Sequence, residues 1–189
     1  QNDPSICAVL VEPIQGEGGI NLAPTGFLSG IRALCDSQNM LMMLDEIQTG
    51  IGRTGKMFAF QHYALASDTL AKKQTITPDV MSLAKGLGGG FPIGAIVAKG
   101  AAAQCFTPGS HGSTFGGSPL ACRAALSVLD TLEQENLCDN AAARGAQLLA
   151  EFQTALANTA GVVNIRGQGL MIGIQLHKPC GDLVDLARE

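Results

Sequence analysis

The sequence contains no tryptophan and one tyrosine, and aromatic residues make up only 4% of its 189 residues. Aliphatic side chains must therefore fill any core, and a hydrophobic content of 46% is enough to build one. No uninterrupted apolar run reaches the roughly 18 residues that a membrane-spanning helix needs. The first residues, Gln1 to Pro4, include no basic region, so we do not expect a signal peptide there.

The sequence also has few of the residues that hold nucleic acids or metals. Its net charge is −4 and there is no basic stripe, which argues against binding by phosphate neutralisation. The three histidines lie far apart and the six cysteines form no Cys-x-x-Cys motif, so we expect no metal site. Scattered cysteines of this kind are typical of buried free thiols in a reducing compartment.

Short apolar runs alternate with segments of helical periodicity, which predicts an α/β fold with a mainly parallel sheet. Strands are predicted at residues 6–11, 41–44, 80–83, 93–98, 162–165 and 170–176, and helices at residues 25–39, 119–135 and 137–156. Glu12, Asp45 and Lys85 lie at or just beyond the carboxyl ends of predicted strands. Ligands collect at this edge of a parallel sheet, so the three side chains could converge on one crevice.

A change in composition near residue 140 predicts two domains, residues 1–140 and residues 141–189, of which the second is the smaller. The sequence begins almost directly in a predicted core strand. It stops in what resembles the start of a helix. We therefore expect both domains to be incomplete.

Two polar residues at predicted strand ends carry most of the functional information. Lys85 ends one apolar run and is followed at once by glycines, and Asp45 ends another. An amine and a carboxylate so placed suit a cofactor that needs a covalent anchor and a countercharge. Glu46 follows Asp45 directly, and neighbours on an extended strand point to opposite faces. One carboxylate is therefore expected at the site and the other in a structural contact.

The glycine-rich segment after Asp45 allows a different interpretation. Gly50 to Gly55 matches the dinucleotide pattern G-x-G-x-x-G, and Gly50 to Lys56 is close to a Walker A loop. Five residues separate the first glycine from the strand, and Met57 stands where a Walker A loop has Ser or Thr. A nucleotide-binding module is therefore disfavoured but stays open as an alternative of another class.

Five motifs occur in order along nearly the whole chain. They are VEPIQGEGG at residues 11–19, LDEIQTGIGRTG at 44–55, LAKGLGGGFPIGA at 83–95, HGSTFGGSPLA at 111–121 and RGQGLM at 166–171. In this order they resemble class III pyridoxal-phosphate-dependent aminotransferases, closest to the acetylornithine and ornithine branch. Five motifs in register make the resemblance specific.

The resemblance implies a fold-type I α/β enzyme that uses pyridoxal 5′-phosphate, with a large domain and the beginning of a small α+β domain. Lys85 resembles the lysine that forms a Schiff base with the cofactor and can then move the substrate's α-proton. Asp45 resembles the aspartate that keeps the pyridine nitrogen protonated, which makes the ring an electron sink. Gln48 resembles the glutamine near the cofactor's 3′ oxygen, and Ile47 would pack on the ring.

Further positions follow from the same resemblance. Ser113 and Thr114 resemble the segment that reaches the cofactor phosphate of the neighbouring subunit, which implies a homodimer with shared sites. Glu17 resembles a glutamate that lines the substrate site, whereas Glu12 could be a structural neighbour. Arg166 is interpreted as structural, because the family's carboxylate-binding arginine lies in a later strand that this sequence lacks.

The family's reaction is the transfer of an amino group from an amino acid to a 2-oxo acid. The branch implies N-acetylornithine as donor and 2-oxoglutarate as acceptor, in arginine biosynthesis in the cytoplasm, or in mitochondria in a eukaryote. Ornithine, succinylornithine and 4-aminobutyrate are alternative donors.

The sequence departs from the family pattern in three ways. Ser118 replaces the usual Asn, and residues 64–76 form an insertion that we predict to be a surface loop or short helix. The family's upstream half, with its phosphate loop, is missing. A catalytically incompetent fragment or an interaction module on the same fold therefore remains an alternative, and the 189 residues alone are expected to be inactive.

Overall fold

The computed structural model describes residue 3, residues 5–63, residues 76–186 and residue 188. Its strands are β1 (Ala8–Val11), β2 (Ile14–Gln15), β3 (Asn21–Leu22), β4 (Leu41–Asp45), β5 (Val80–Leu83), β6 (Ala95–Ala98), β7 (Val162–Gln168) and β8 (Met171–Leu176). Its α-helices are α1 (Phe27–Gln38), α2 (Pro119–Gln134), α3 (Leu137–Ala155) and α4 (Gly181–Leu186). Short 3₁₀ helices span Ala59–His62, Lys85–Gly88 and Gly100–Gln104.

The central sheet has the strand order β1-β4-β5-β6. β1 runs parallel to β4 and β4 runs parallel to β5, whereas β6 is antiparallel to β5. The predicted α/β fold with a mainly parallel sheet is therefore confirmed. Parallel pairing brings the carboxyl ends of β1, β4 and β5 to one edge of the sheet.

Helix α1 covers one face of the sheet. Alternate residues of β4 point toward it, so Met42 and Leu44 are completely buried. They pack with Leu28 and Cys35, which lie two turns apart on α1. The helix starts two residues later than predicted because Gly26 has a φ of 84°, which is not helical.

A second buried cluster joins the sheet to α2. It contains Met81 and Leu83 of β5, Leu87 of the following turn, and Ala125 of α2. Pro119 occupies the first helical position of α2, where its missing N–H is not needed. The cluster fixes the segment around Lys85 between β5 and α2.

The glycines between residues 50 and 55 allow this segment to pack closely against α2 and α3. A Cβ atom on Gly52 would lie 2.9 Å from Leu132 Cδ2, and one on Gly55 would lie 2.8 Å from Ala142 Cβ. The segment consists of turns and leads to the 3₁₀ helix Ala59–His62. Both nucleotide-binding motifs require an α-helix that begins at the loop. The nucleotide-binding alternative is therefore wrong.

The strands β7 and β8 form an antiparallel hairpin that packs against α3. β7 was predicted to end at Ile165, but it continues to Gln168 because Arg166, Gly167 and Gln168 all pair with β8. Residue 140 lies inside α3, and the division into residues 1–140 and 141–189 stays a prediction. Most of the predicted insertion, residues 64–75, lies outside the described residues, and Ile76 is buried.

The expected burial of the cysteines is wrong for most of them. All six are free, but only Cys35 is buried, and Cys7, Cys105, Cys122 and Cys180 are exposed. In the described ranges, no group of three or more His, Cys, Asp and Glu side chains is placed to hold a metal ion. Within the same ranges, no helix has both the length and the apolar character needed to cross a membrane.

Candidate active site

The edge of the sheet brings Asp45 and Lys85 to neighbouring strand ends. Asp45, the last residue of β4, is paired with Ser82 of β5, and Lys85 follows two residues after the end of β5. Asp45 Oδ1 accepts hydrogen bonds from Ser82 Oγ at 3.2 Å and from the backbone N–H of Ile47 at 2.9 Å. Within the described part of the chain, no hydrogen bond reaches Asp45 Oδ2. This half-buried carboxylate can therefore accept a hydrogen bond from a ligand.

The adjacent carboxylate, Glu46, has a different environment. Its side chain is completely buried. It accepts hydrogen bonds from the Thr49 hydroxyl and, at 2.9 Å each, from the backbone N–H groups of Ala59 and Phe60. Burial raises the pKa of Glu46 above its ordinary value, although the three donors act in the opposite direction. Glu46 is thus the member of the pair that makes the structural contact.

Lys85 is exposed and lies on a tightly held turn. It begins the 3₁₀ helix with a backbone φ of 44°, a conformation that is uncommon for residues other than glycine. Leu87 is buried in the second core cluster, and Gly89 ends the turn with a φ of 57°. A Cβ atom on Gly89 would lie 2.9 Å from Val128 of α2. The turn therefore fixes the direction in which the lysine leaves the backbone.

Three strained residues surround one cavity. Five described residues other than glycine have positive φ, and two of them, Asn39 and Asn136, flank helix ends, where asparagine tolerates it. The other three, Ile20, Ile51 and Lys85, all line a cavity of about 300 Å³. Isoleucine is β-branched, so its φ values of 55° and 56° are genuine outliers. Such strain clusters at functional sites, where the surrounding structure maintains it.

The cavity also joins Lys85 to Gln48. Its remaining lining includes Arg53 and residues 170–172 of the β7–β8 hairpin. A larger cavity of about 720 Å³ shares Ile51, Arg53, Lys85 and Gly86 with it and is completed by Gly89, Gly90, Leu137 and four residues of α2. Lys85 therefore lies between two open volumes that could receive a cofactor and a substrate.

Gln48 contacts a second predicted site residue, Glu17. Gln48 Nε2 donates a hydrogen bond to Glu17 Oε1 at 3.0 Å, across 31 residues of sequence. A Cβ atom on Gly16 would lie 2.5 Å from Gln48 Cδ, so the Gln48 side chain would have to move to admit any larger residue there. Glu12 Oε2 accepts a hydrogen bond from the backbone N–H of Gly16 at 2.8 Å. Glu12 is thus a support of this segment, and Glu17 is linked to the cavity through its hydrogen bond to Gln48, which lines it.

The other predicted residues lie elsewhere. Ile47 lines a cavity of about 510 Å³ with Ser82, Ala84, Phe106 and His111, among others. Ser113 and Thr114 are exposed in the irregular segment that precedes α2. Neither cavity at Lys85 includes them. The structure thus places Lys85 and Gln48 on one cavity, Asp45 at the adjacent strand end and Glu17 in contact with Gln48. Asp45, Glu17, Ser113 and Thr114 line neither cavity at Lys85.

Sequence reasoning missed the backbone strain at Ile20 and Ile51. Both residues adjoin glycines, but an isoleucine gives no signal of positive φ because its own preference is for extended backbone. It also missed Arg53, which lines both cavities. A basic residue in a glycine-rich segment after a strand end could have indicated it.

The sheet, the lysine turn and the neighbouring carboxylate are the features of a fold-type I pyridoxal-phosphate enzyme. The family model for class-III aminotransferases matches residues 1–189, and the chain belongs to this family. The family depends on pyridoxal 5′-phosphate and uses amino acids and 2-oxo acids as substrates.

Curated relatives and solved structures agree with this family. The chain is 52% identical to acetylornithine aminotransferase 1 of Bordetella pertussis, over 99% of this chain and 45% of the relative. It is also 52% identical to acetylornithine aminotransferase of Nitrosomonas europaea, over 97% of this chain and 44% of that protein. The ornithine aminotransferase of Plasmodium yoelii superposes with a TM-score of 0.83 at 39% identity, over 92% of this chain and 44% of that one. The acetylornithine aminotransferase of Elizabethkingia anophelis superposes with a TM-score of 0.82 at 37% identity, over 95% of this chain and 42% of that one. The chain thus spans less than half the length of these relatives.

The chemistry of the described residues fits part of pyridoxal 5′-phosphate. Lys85 supplies an exposed amine for its aldehyde, Asp45 an available carboxylate oxygen for its ring nitrogen, and Gln48 an amide for its ring oxygen. The strained turn at Lys85 is consistent with a functional rather than a surface lysine.

Proposed function

We propose that the complete protein is a pyridoxal-phosphate-dependent aminotransferase that moves an amino group between N-acetylornithine and 2-oxoglutarate in arginine biosynthesis. The observation that carries this proposal is the amine of Lys85, on its strained turn, next to the strand end that bears Asp45. N-acetylornithine is the first choice of donor because the two curated relatives at 52% identity are acetylornithine aminotransferases.

Each residue at the sheet edge has a proposed role. The Lys85 amine holds the cofactor covalently and, once released, moves a proton at the α-carbon of the substrate. The Asp45 carboxylate holds the proton on the ring nitrogen, and Gln48 orients the ring through its oxygen. Ile47 provides an apolar contact to the ring. When bound, the cofactor supplies an electron sink for the charge that develops at the α-carbon.

Other parts of the proposal extend beyond the described cavity. Glu17, which is hydrogen-bonded to Gln48, contacts the substrate. Ser113 and Thr114 bind the cofactor phosphate of a neighbouring subunit in a homodimer, which agrees with their exposure and with their absence from the linings of the cavities at Lys85. Residues 1–140 belong to a large cofactor-binding domain and residues 141–189 to a small α+β domain. The enzyme works in the cytoplasm. The segment of 189 residues, taken alone, does not turn over.

The choice of donor is tested by a half-reaction. The complete protein, loaded with pyridoxal phosphate, is mixed with N-acetylornithine, ornithine, succinylornithine or 4-aminobutyrate, and the loss of its visible absorbance is followed in a single turnover. We expect the fastest loss with N-acetylornithine and none in Lys85→Ala. A faster response to ornithine would transfer the proposal to that donor, which the solved ornithine aminotransferase from Plasmodium yoelii makes the second candidate. No response to any donor would refute the proposed function.

A further inference from the structure

Arg166 joins the β7–β8 hairpin to the segment that carries Glu17. Its guanidinium donates hydrogen bonds to the backbone carbonyls of Gly19, at 2.6 Å from Nη2, and Ile20, at 2.9 Å from Nε. The third nitrogen, Nη1, donates to Gln175 Oε1 on the partner strand at 2.7 Å. All three guanidinium nitrogens are thus committed to protein acceptors, two of them about 146 residues away in sequence. Arg166 lines neither cavity at Lys85, so it is not placed to bind a substrate carboxylate.

The two carbonyls that Arg166 holds belong to a strained turn. Gly19 has a φ of 105° and Ile20 a φ of 55°. The second value is unfavourable for a β-branched residue and needs support from its surroundings. Gly173 of β8 provides room for the turn, because a Cβ atom there would lie 3.0 Å from Ile20 Cβ and 3.1 Å from the Gly19 carbonyl oxygen. The hairpin therefore fits the turn in shape as well as in hydrogen bonding.

The turn lies between two supports. At its start, the Glu12 carboxylate accepts the N–H of Gly16, and at its end Arg166 holds two consecutive carbonyls. Between these supports lies Glu17, which accepts the hydrogen bond from Gln48. The last residue of the turn, Ile20, lines the smaller of the two cavities at Lys85, the one of about 300 Å³. A displacement of the turn would therefore move Glu17 and reshape the cavity together.

We propose that Arg166 is a positioning residue, which holds the turn of residues 16–20 so that Glu17 keeps its hydrogen bond to Gln48 on the wall of the cavity that Gln48 shares with Lys85. The roles of Glu17 and Gln48 rest on the proposed function. The mechanical link, by which we mean the hydrogen bonds from Arg166 to the turn of residues 16–20, does not rest on it. An arginine is required because its planar fork reaches two adjacent carbonyls at once, whereas lysine offers a single point charge. The substitution Arg166→Lys should therefore retain part of the effect and Arg166→Gln little of it.

The mechanical link is tested first, by hydrogen exchange of the complete protein. We expect the amides of residues 17–20 to exchange at least about 10-fold faster in Arg166→Gln, with a smaller increase in Arg166→Lys. The matched control is Arg144→Gln on the exposed surface of α3, where the Arg144 side chain is hydrogen-bonded only to Gln147 among the described residues. Unchanged exchange at residues 17–20 in both Arg166 variants would overturn the proposal. Arg166→Lys keeps the test valid should Arg166→Gln fail to fold.

The functional consequence is tested by a double-mutant cycle with Glu17→Gln. We expect Arg166→Gln to lower kcat/KM for the amino donor about 10- to 100-fold, the usual range for residues that orient a ligand-binding group. In the Glu17→Gln background the same change should lower kcat/KM by less than about 3-fold, because the group that Arg166 positions is already altered. Equal losses in both backgrounds would refute the positioning role. Absence of turnover in the wild type would instead refute the proposed function, and the exchange experiment would still decide the mechanical link.

Discussion

The two carboxylates at the end of β4 provide a matched pair of substitutions with opposite expected results. Glu46→Gln keeps the shape of a buried side chain that accepts three hydrogen bonds. Asp45→Asn keeps the shape of a half-buried side chain whose Oδ1 accepts two. Both changes remove one negative charge from adjacent positions. The proposed roles therefore predict a loss of stability in one variant and a loss of activity in the other.

The magnitude for Glu46→Gln follows from its acceptors. Glu46 Oε2 accepts bonds from Thr49 and Ala59, so the amide oxygen is best placed there. The amide NH₂ then faces the N–H of Phe60, which loses its acceptor. An unsatisfied donor of this kind costs about 1–3 kcal/mol, and relief of the buried charge offsets part of it, so we expect a net loss of about 1–2 kcal/mol. For a domain of roughly 150–250 residues, this loss of stability lowers the Tm of the apoprotein by about 2–8 °C.

Asp45→Asn is expected to change the free energy of unfolding by no more than about 0.5 kcal/mol, because the amide oxygen can retain both donors. Its amide cannot hold a proton on the ring nitrogen, so the rate of amino transfer should fall at least about 100-fold. Thermal unfolding of the apoproteins and single-turnover rates of the loaded proteins measure the two effects. Normal amino transfer in Asp45→Asn, or an inactive but fully stable Glu46→Gln, would refute this division of roles.

Three further predictions concern stability in the complete apoprotein. The raised pKa of Glu46 means that the folded state binds more protons than the unfolded state just above pH 4.5. The wild-type unfolding free energy should therefore decline as pH rises through that raised pKa, relative to Glu46→Gln, in urea titrations at stepped pH. Gly30→Ala, in the exposed part of α1 three residues after its start and with nothing within 4 Å of the new Cβ, should add about 0.5–1 kcal/mol by the same measurement, and a loss would contradict the helical conformation there. Gly55→Ala should remove about 1–3 kcal/mol, because its φ is 90° and its Cβ would lie 2.8 Å from Ala142 Cβ; a neutral effect would contradict the close approach to α3.

The sequence was sufficient where a local pattern decides the structure. The strands β1, β4 and β5 are short apolar runs bounded by polar residues, so their positions and parallel arrangement could be predicted. The polar residues that end them, among them Asp45, therefore lie at one edge, as expected. Because side chains alternate along a strand, one of Asp45 and Glu46 was expected to point away from the site, and the complete burial of Glu46 identifies it.

Long-range contacts decide what the sequence did not show. The strands β2 and β3 have two residues each and exist because Ile14 pairs with Leu22. β7 extends beyond its apolar run because Arg166 pairs with Gly173 of β8. The positive φ of Ile20 opposes its own preference and is maintained by that hairpin through Arg166. No local pattern contains this information, because each contact joins segments that are distant in sequence or overrides a residue's intrinsic tendency.

The central claim is that Lys85 is the covalent anchor of the cofactor. It is tested most directly by borohydride reduction of the complete protein with pyridoxal phosphate, followed by proteolysis and mass spectrometry. The proposal predicts a pyridoxyl-phosphate addition on the peptide that contains Lys85 and none on that containing the exposed Lys99, with loss of the addition in Lys85→Ala but not in Lys99→Ala. An addition on another lysine, or one that persists at equal yield in Lys85→Ala, would contradict the claim.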